Sequence, residues 1–142
     1  MDLLIVLRDA QTSSLVDALF FARQSKERGQ QVAIVLTQEA LVAAAVGTYG
    51  WPRELSGQQM RYAMADAGSQ KGLPIKGRGE GRQIDWRALL DRAAEEGIPI
   101  YGNPYWLELT GLRDRLPASV RPIGEDELLD LLESSKRIIG TL

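Results

Sequence analysis

The side chains able to do chemistry in this chain are few, and two types are missing. Among 142 residues there is no cysteine and no histidine. No thiolate can attack a substrate, no disulfide or Cys-held metal can form, and no imidazole can act as base or ligand. Acid–base work falls to Asp, Glu, Lys and Tyr, each of which needs a displaced pKa to act near neutrality. The polar residues that stand out follow apolar runs directly. Arg8, Asp9, Gln11 and Thr12 come after Leu3–Leu7, Thr37 and Gln38 after Val32–Leu36, and Asn103 with Tyr105 after 98–101. If those runs are neighbouring strands of an open parallel sheet, the three sets converge at the strands' carboxyl ends, where such sheets collect ligands. Arg8 would then supply charge to a small anionic or polar ligand, and the helix opened by Asn103 would offer it free N–H groups. The plainer account is that Thr37 and Asn103 cap helices and that Arg8 and Asp9 pair with each other or with water.

Two further segments invite a functional reading. Tyr49, Trp51 and Pro52, followed by Arg53, form an aromatic cluster that could stack on a planar ligand, line a subunit interface or pack as a satellite core. The run Lys76-Gly77-Arg78-Gly79-Glu80-Gly81-Arg82 invites comparison with a phosphate-binding glycine loop. It neither follows a strand and opens a helix nor ends in Gly-Lys-Ser/Thr, so a solvated segment is the better account. Trp86 and Trp106 read as core or interface packing, and Glu125 to Glu127 as an acidic helix start.

The elements that must position these residues alternate along the chain. Leu3–Leu7 and Val32–Leu36 are apolar at every position, the mark of strands buried on both faces. Between them Ser13 is placed to cap a helix over 13–28, whose apolar stripe runs through Leu15, Leu19 and Ala22 and which Gly29 ends. Thr37 is placed to cap an alanine-rich helix, Gln38–Val46. The pattern then loosens, with a helix over 57–67 and a mobile loop over 68–82 carrying five glycines and a proline. Asp85 should cap an amphipathic helix that Gly97 ends. A third strand follows at 98–101, then a helix opened by Asn103-Pro104 and stopped by Gly111. A fourth strand at Val120, a helix through Ser134 and a fifth strand over 136–142 complete the series. Such alternation predicts a single domain over 1–142, a three-layer α/β/α sandwich around an open, mainly parallel sheet of about five strands.

Composition bounds the remaining classes. Hydrophobic residues make up 44% and charged residues 25%, ordinary values for a globular domain with a real core. No apolar run approaches the roughly 18 residues that a membrane span requires. The apolar start meets Arg8 and Asp9 too soon for a signal peptide, so a cytoplasmic location without membrane attachment is expected. A net charge of −2 argues against DNA as a partner.

Taken together, three stretches resemble the DsrE/DsrF-like family. They are Gly97-Ile98-Pro99-Ile100-Tyr101-Gly102-Asn103 with 107–112, then Val120-Arg121-Pro122-Ile123-Gly124 with the closing helix and strand, and the amino-terminal strand–helix–Gly–strand with its small-residue helix. The resemblance implies an open parallel sheet between helices and assembly into dimers, trimers or hexamers. It also implies kinship with proteins that pass persulfide sulfur along a relay. Their carrier cysteine lies just after the strand matching 98–101, where this chain has Gly102-Asn103. An amide offers no sulfur nucleophile, so no persulfide can form there. The expectation is a non-catalytic oligomer, needing no cofactor and no metal, that binds a small ligand or a protein partner. Its ligand-contacting candidates are Arg8, Asp9, Thr12, Thr37, Gln38, Tyr49, Asn103 and Tyr105. The alternatives are a thiol-independent enzyme with Asp9 as base and Arg8 or Tyr49 as electrostatic partner, and a structural subunit beside sulfur-relay proteins.

Overall fold

Two strands carry the fold. Leu3–Leu7 (β1) and Val32–Leu36 (β2) are buried along their whole length and pair in parallel, with Leu3 opposite Val32 and Leu7 opposite Leu36. Parallel strands buried on both faces require helical cover on each side, and the intervening chain supplies it. A computed structural model describes residues 1–140. In it β1 leads through α1 (Thr12–Glu27) to β2, and then come α2 (Gln38–Val46), α3 (Gln58–Gln70), β3 (Ile75–Lys76), β4 (Gln83–Ile84) and α4 (Trp86–Glu95). The chain continues as β5 (Ile100–Gly102), α5 (Pro104–Thr110), β6 (Val120–Pro122), α6 (Glu125–Ser134) and β7 (Arg137–Gly140).

The main sheet has the order β6-β5-β2-β1-β7 with every pairing parallel. From β1 the chain steps outward through β2 and β5 to β6, then crosses back to lay β7 against the free side of β1. Right-handed crossovers in the two directions put their helices on opposite faces. The packing follows. Leu3, Ile5, Leu7, Val32, Ile34, Leu36 and Ile100 meet residues of α1, α2, α4 and α5 in the larger core cluster. Leu4, Val6, Ala33 and Val35, the alternate side chains, meet Leu128 of α6, with Leu131 and Leu132 packed against them. This is the predicted three-layer α/β/α sandwich on a five-stranded parallel sheet.

The local details depart from expectation in instructive places. Ser13 does not cap α1: Gln11 holds the N-cap position without a side-chain bond, and the Asp9 carboxylate accepts from the Gln11 N–H at 3.1 Å and the Ser14 hydroxyl at 3.0 Å. An acidic side chain one turn earlier thus closes the loop. Asp85 does cap α4, accepting from the Arg87 and Ala88 N–H groups. The third strand begins at Ile100, two residues later than expected, because the Ile98 N–H is taken by Ala93 in the helix-ending turn. Of the expected fifth strand, Arg137–Gly140 forms, while 141 and 142 lie outside the described residues.

Within 68–82, where a mobile loop is expected from the sequence, α3 extends to Gln70, and β3 and β4 then form an antiparallel hairpin with Ile75 opposite Ile84. Leu73 and Ile84 are buried and act as its anchor. Gly77 has a φ of 77° and a side chain there would overlap the Gly81 carbonyl, so glycine is required for the tight return. Arg82 ties the hairpin to α3, donating to Asp66 at 2.9 Å with its guanidinium 4.3 Å above the Tyr62 ring.

Two predictions follow from these contacts. The Arg82 guanidinium holds the Asp66 carboxyl below its ordinary 3.8. Because the folded value is the depressed one, the tie is fully present above 3.8 and weakens as pH falls through the lower folded value. NMR titration of the hairpin amides should therefore give a midpoint below 3.8, and a midpoint at or above it would contradict the contact. At the sheet edge, Gly140 has a φ of 151°, and an added Cβ would overlap the Val6 carbonyl. Gly140→Ala should cost about 2–4 kcal/mol in urea denaturation by prising β7 from β1. Gly50→Ala, where a methyl meets nothing within 4 Å, should stay within about 0.5 kcal/mol.

Candidate functional site

The carboxyl ends of β1, β2 and β5 are joined by backbone bonds before any side chain contributes. The Thr37 N–H donates to the Leu7 carbonyl at 2.9 Å, the Ala40 N–H to Arg8 at 3.0 Å, and the Asn103 N–H to Leu36 at 3.0 Å. Parallel register brings the three loops to one level, which is why residues far apart in sequence stand together here.

Asn103 is the side chain that links them. Its Oδ1 accepts from the Tyr105 N–H at 2.9 Å, capping α5, while its Nδ2 donates to Thr37 Oγ1 at 3.0 Å. The amide has one orientation compatible with both bonds, since only the oxygen can accept and only the nitrogen can donate. Thr37, buried to 5% exposure, therefore does not cap α2 with its hydroxyl as its position suggested. The hydroxyl is turned across the sheet to receive Asn103, and its own proton remains able to donate to a third group. Directly after it, Gln38 opens α2 at a φ of 51°, the single positive value among the described non-glycine residues. Side chains other than Gly, Asn and Asp rarely take that conformation, and such strain gathers at ligand sites and clamps.

The β1 loop is held from its other side by a segment that the sequence pattern did not connect to it. The Thr12 N–H donates to the Gly50 carbonyl at 2.8 Å and the Gly50 N–H to Ala10 at 3.2 Å. Residues flanking Gly50 consequently point inward. Tyr49 is buried at 8% exposure, donates its hydroxyl to the Ala40 carbonyl at 2.9 Å, and packs 5.0 Å from the Trp86 ring. Burial first, and then the nearby Asp9 charge, push its phenol well above the usual range, so it stays protonated. Tyr49 is thus part of the core, with its hydroxyl taken by Ala40, while Trp51 and Pro52 beside it are half-buried.

The eight candidate residues divide accordingly. Arg8, Gln38, Asn103 and Tyr105 reach solvent to differing degrees, as does the part-buried Asp9, engaged with the turn into α1. Thr12, Thr37 and Tyr49 are buried and serve the framework. Of the α5 N–H groups expected to face an anion, that of Tyr105 is already taken by Asn103, and the helix has only seven residues. α2 is the longer helix at the site, and the first N–H groups of any helix lack an intrahelical partner. Among the described residues, no group of three or more Asp and Glu side chains is arranged to hold a metal ion. Sequence reasoning missed the strain at Gln38 and the role of Gly50. A positive φ at glutamine has no sequence signal, and the Gly50 bridge depends on a backbone contact with a distant loop.

The Thr37–Asn103 bond can be weighed by a double-mutant cycle. Asn103→Ala removes an N-cap and strands a buried hydroxyl, and should cost about 2–3 kcal/mol. Thr37→Val should cost about 1 kcal/mol, and the double variant should fall short of the sum by at least about 0.5 kcal/mol in chemical denaturation. Strict additivity would show that the two residues do not interact.

No family model matches the chain, and no curated protein matches it in sequence. Among solved structures, the crystal structure of the YchN protein from E. coli superposes with a TM-score of 0.60 at 13% identity, covering 99% of this chain and 100% of that one. That likeness extends over the whole sandwich and is one of fold alone.

Proposed function

We propose that this chain is a non-catalytic binding module which assembles with copies of itself and holds a small anionic or polar ligand at the carboxyl ends of β1, β2 and β5. The observation that carries this reading is the strained Gln38 at the start of α2, set beside the Thr37–Asn103 bond. Together they form a rigid polar corner where three loops meet, in the place where open parallel sheets bind ligands. In this reading Arg8 gives the site its positive charge and the Gln38 and Glu39 N–H groups, at the start of α2, supply donors. Asn103 positions the corner and does not carry sulfur, since its amide cannot form a persulfide.

Assembly rests on β7. All four of its residues are exposed, and among the described residues no strand lies beside its outer edge. Ile139 and Phe21, 37% and 52% exposed, line one hollow beside that edge. An open edge flanked by apolar side chains invites pairing with another chain. The opposite edge is protected differently: β6 is short and ends in Pro122, which has no N–H to offer.

Native mass spectrometry of gently purified protein tests both parts. The expected result is an oligomer carrying a constant added mass, with occupancy reduced by Asn103→Ala and by raised salt. A bare monomer would overturn the reading. So would turnover that depends on Asp9 or Asn103, which would place catalysis at this corner.

A further inference from the structure

A second hollow lies away from the strand ends, between α1, α3 and the Trp51 segment, with a volume of about 280 Å³. Its walls are apolar: Phe20, Trp51 and Met64 are partly buried side chains packed on the core, and Leu73 is buried beneath them. It shares no residue with the Thr37–Asn103 corner. The volume is just below the roughly 300 Å³ at which drug-sized ligand sites begin, which suits one ring or branched chain with its head groups.

Charge at the rim narrows the class of occupant. Asp17 and Lys71 both line the hollow, one on α1 and the other just past α3. The five ion pairs among the described residues include neither of them, so these opposite charges share a cavity without neutralising each other. Asp17 precedes Phe20 by three residues on α1, which sets the carboxylate and the aromatic wall on one face of the helix. Lys71 stands where this hollow meets a more polar one that also contains Arg23. That arginine is already committed to Glu96 at 2.8 Å, leaving the lysine as the unpaired cation at the junction. An ion without an apolar body gains nothing from the walls. An amphiphile with one charge uses only one side of the rim.

We propose that this hollow is a separate small-molecule site for a compact zwitterion with an apolar side chain, chemically a hydrophobic amino acid. Its side chain packs among Phe20, Trp51 and Met64, its ammonium faces Asp17, and its carboxylate faces Lys71.

Titration of the intact chain with L-phenylalanine, 3-phenylpropionate and phenethylamine tests this, read by tryptophan fluorescence and ligand-detected NMR. Phenylalanine should bind about three- to fivefold more tightly than either singly charged analogue, the scale set by exposed charge pairs. Asp17→Asn should abolish its advantage over 3-phenylpropionate without altering the affinity for 3-phenylpropionate. Lys71→Met should do the same with respect to phenethylamine. Ala67→Phe, which fills the hollow from an exposed position on α3, should remove all binding while far-UV circular dichroism stays unchanged. Asn103→Ala should leave phenylalanine binding intact, which separates this site from the strand-end corner. Equal affinity for the three probes would overturn the zwitterion assignment. Binding of none of them by folded protein would overturn the site, as would shielding of Trp51 that grows with protein concentration and is indifferent to phenylalanine, the mark of a second copy in the hollow.

Discussion

Everything in this molecule depends on the parallel pairing of β1 with β2, two five-residue strands with no side chain left in water. Burying a Leu, Ile or Val side chain is worth about 1.5–3 kcal/mol, so this pair is the densest source of stability in the chain. It is also the strictest constraint. Since neither face can be wetted, helices must cover both, and the single return crossover through α6 provides the second cover. The same parallel arrangement sends every following loop to one end of the sheet. The polar corner at Thr37, Gln38 and Asn103 is therefore a consequence of how the core is built.

That corner is stabilised mainly by backbone. Loops after β1, β2 and β5 bond to one another's carbonyls, and Gly50 enters as a fourth contributor from a distant segment. Once these bonds are made, the side chains have little freedom. Asp9 closes the turn into α1, Asn103 serves α5 and Thr37 at once, and Tyr49 is drawn into the core with its hydroxyl on Ala40. Polar residues that looked equivalent in sequence thereby separate into a buried framework and an exposed rim. The strain at Gln38 is held in place because Thr37 before it and Ala40 after it are both tied down.

Regions of weak pattern hold elements formed through contacts of long range. The hairpin of β3 and β4 has two residues in each strand, too few for period-two alternation to be visible. Its order comes from burial of Leu73 and Ile84 and from the Arg82–Asp66 tie, all of which require α3 to be in place. Ser13 misled for a related reason. Capping preference is a local rule, and the acidic side chain of Asp9 satisfied the turn first. Where local preference and tertiary contact agreed, as at Asp85, Asn103 and Gly111, the element boundaries were legible to the residue.

The sequence by itself determined the layer architecture, because continuous apolar strands alternating with amphipathic helices leave one economical way to bury both. It also determined what chemistry is closed to the chain, since thiol and imidazole are absent from its composition. Tertiary structure alone decided the strand order, the pairing of Thr37 with Asn103 and the inward turn of Tyr49. It alone brought Asp17 and Lys71 to one hollow. Those outcomes depend on which distant segments share a surface, and periodicity along the chain reports only which way each residue faces.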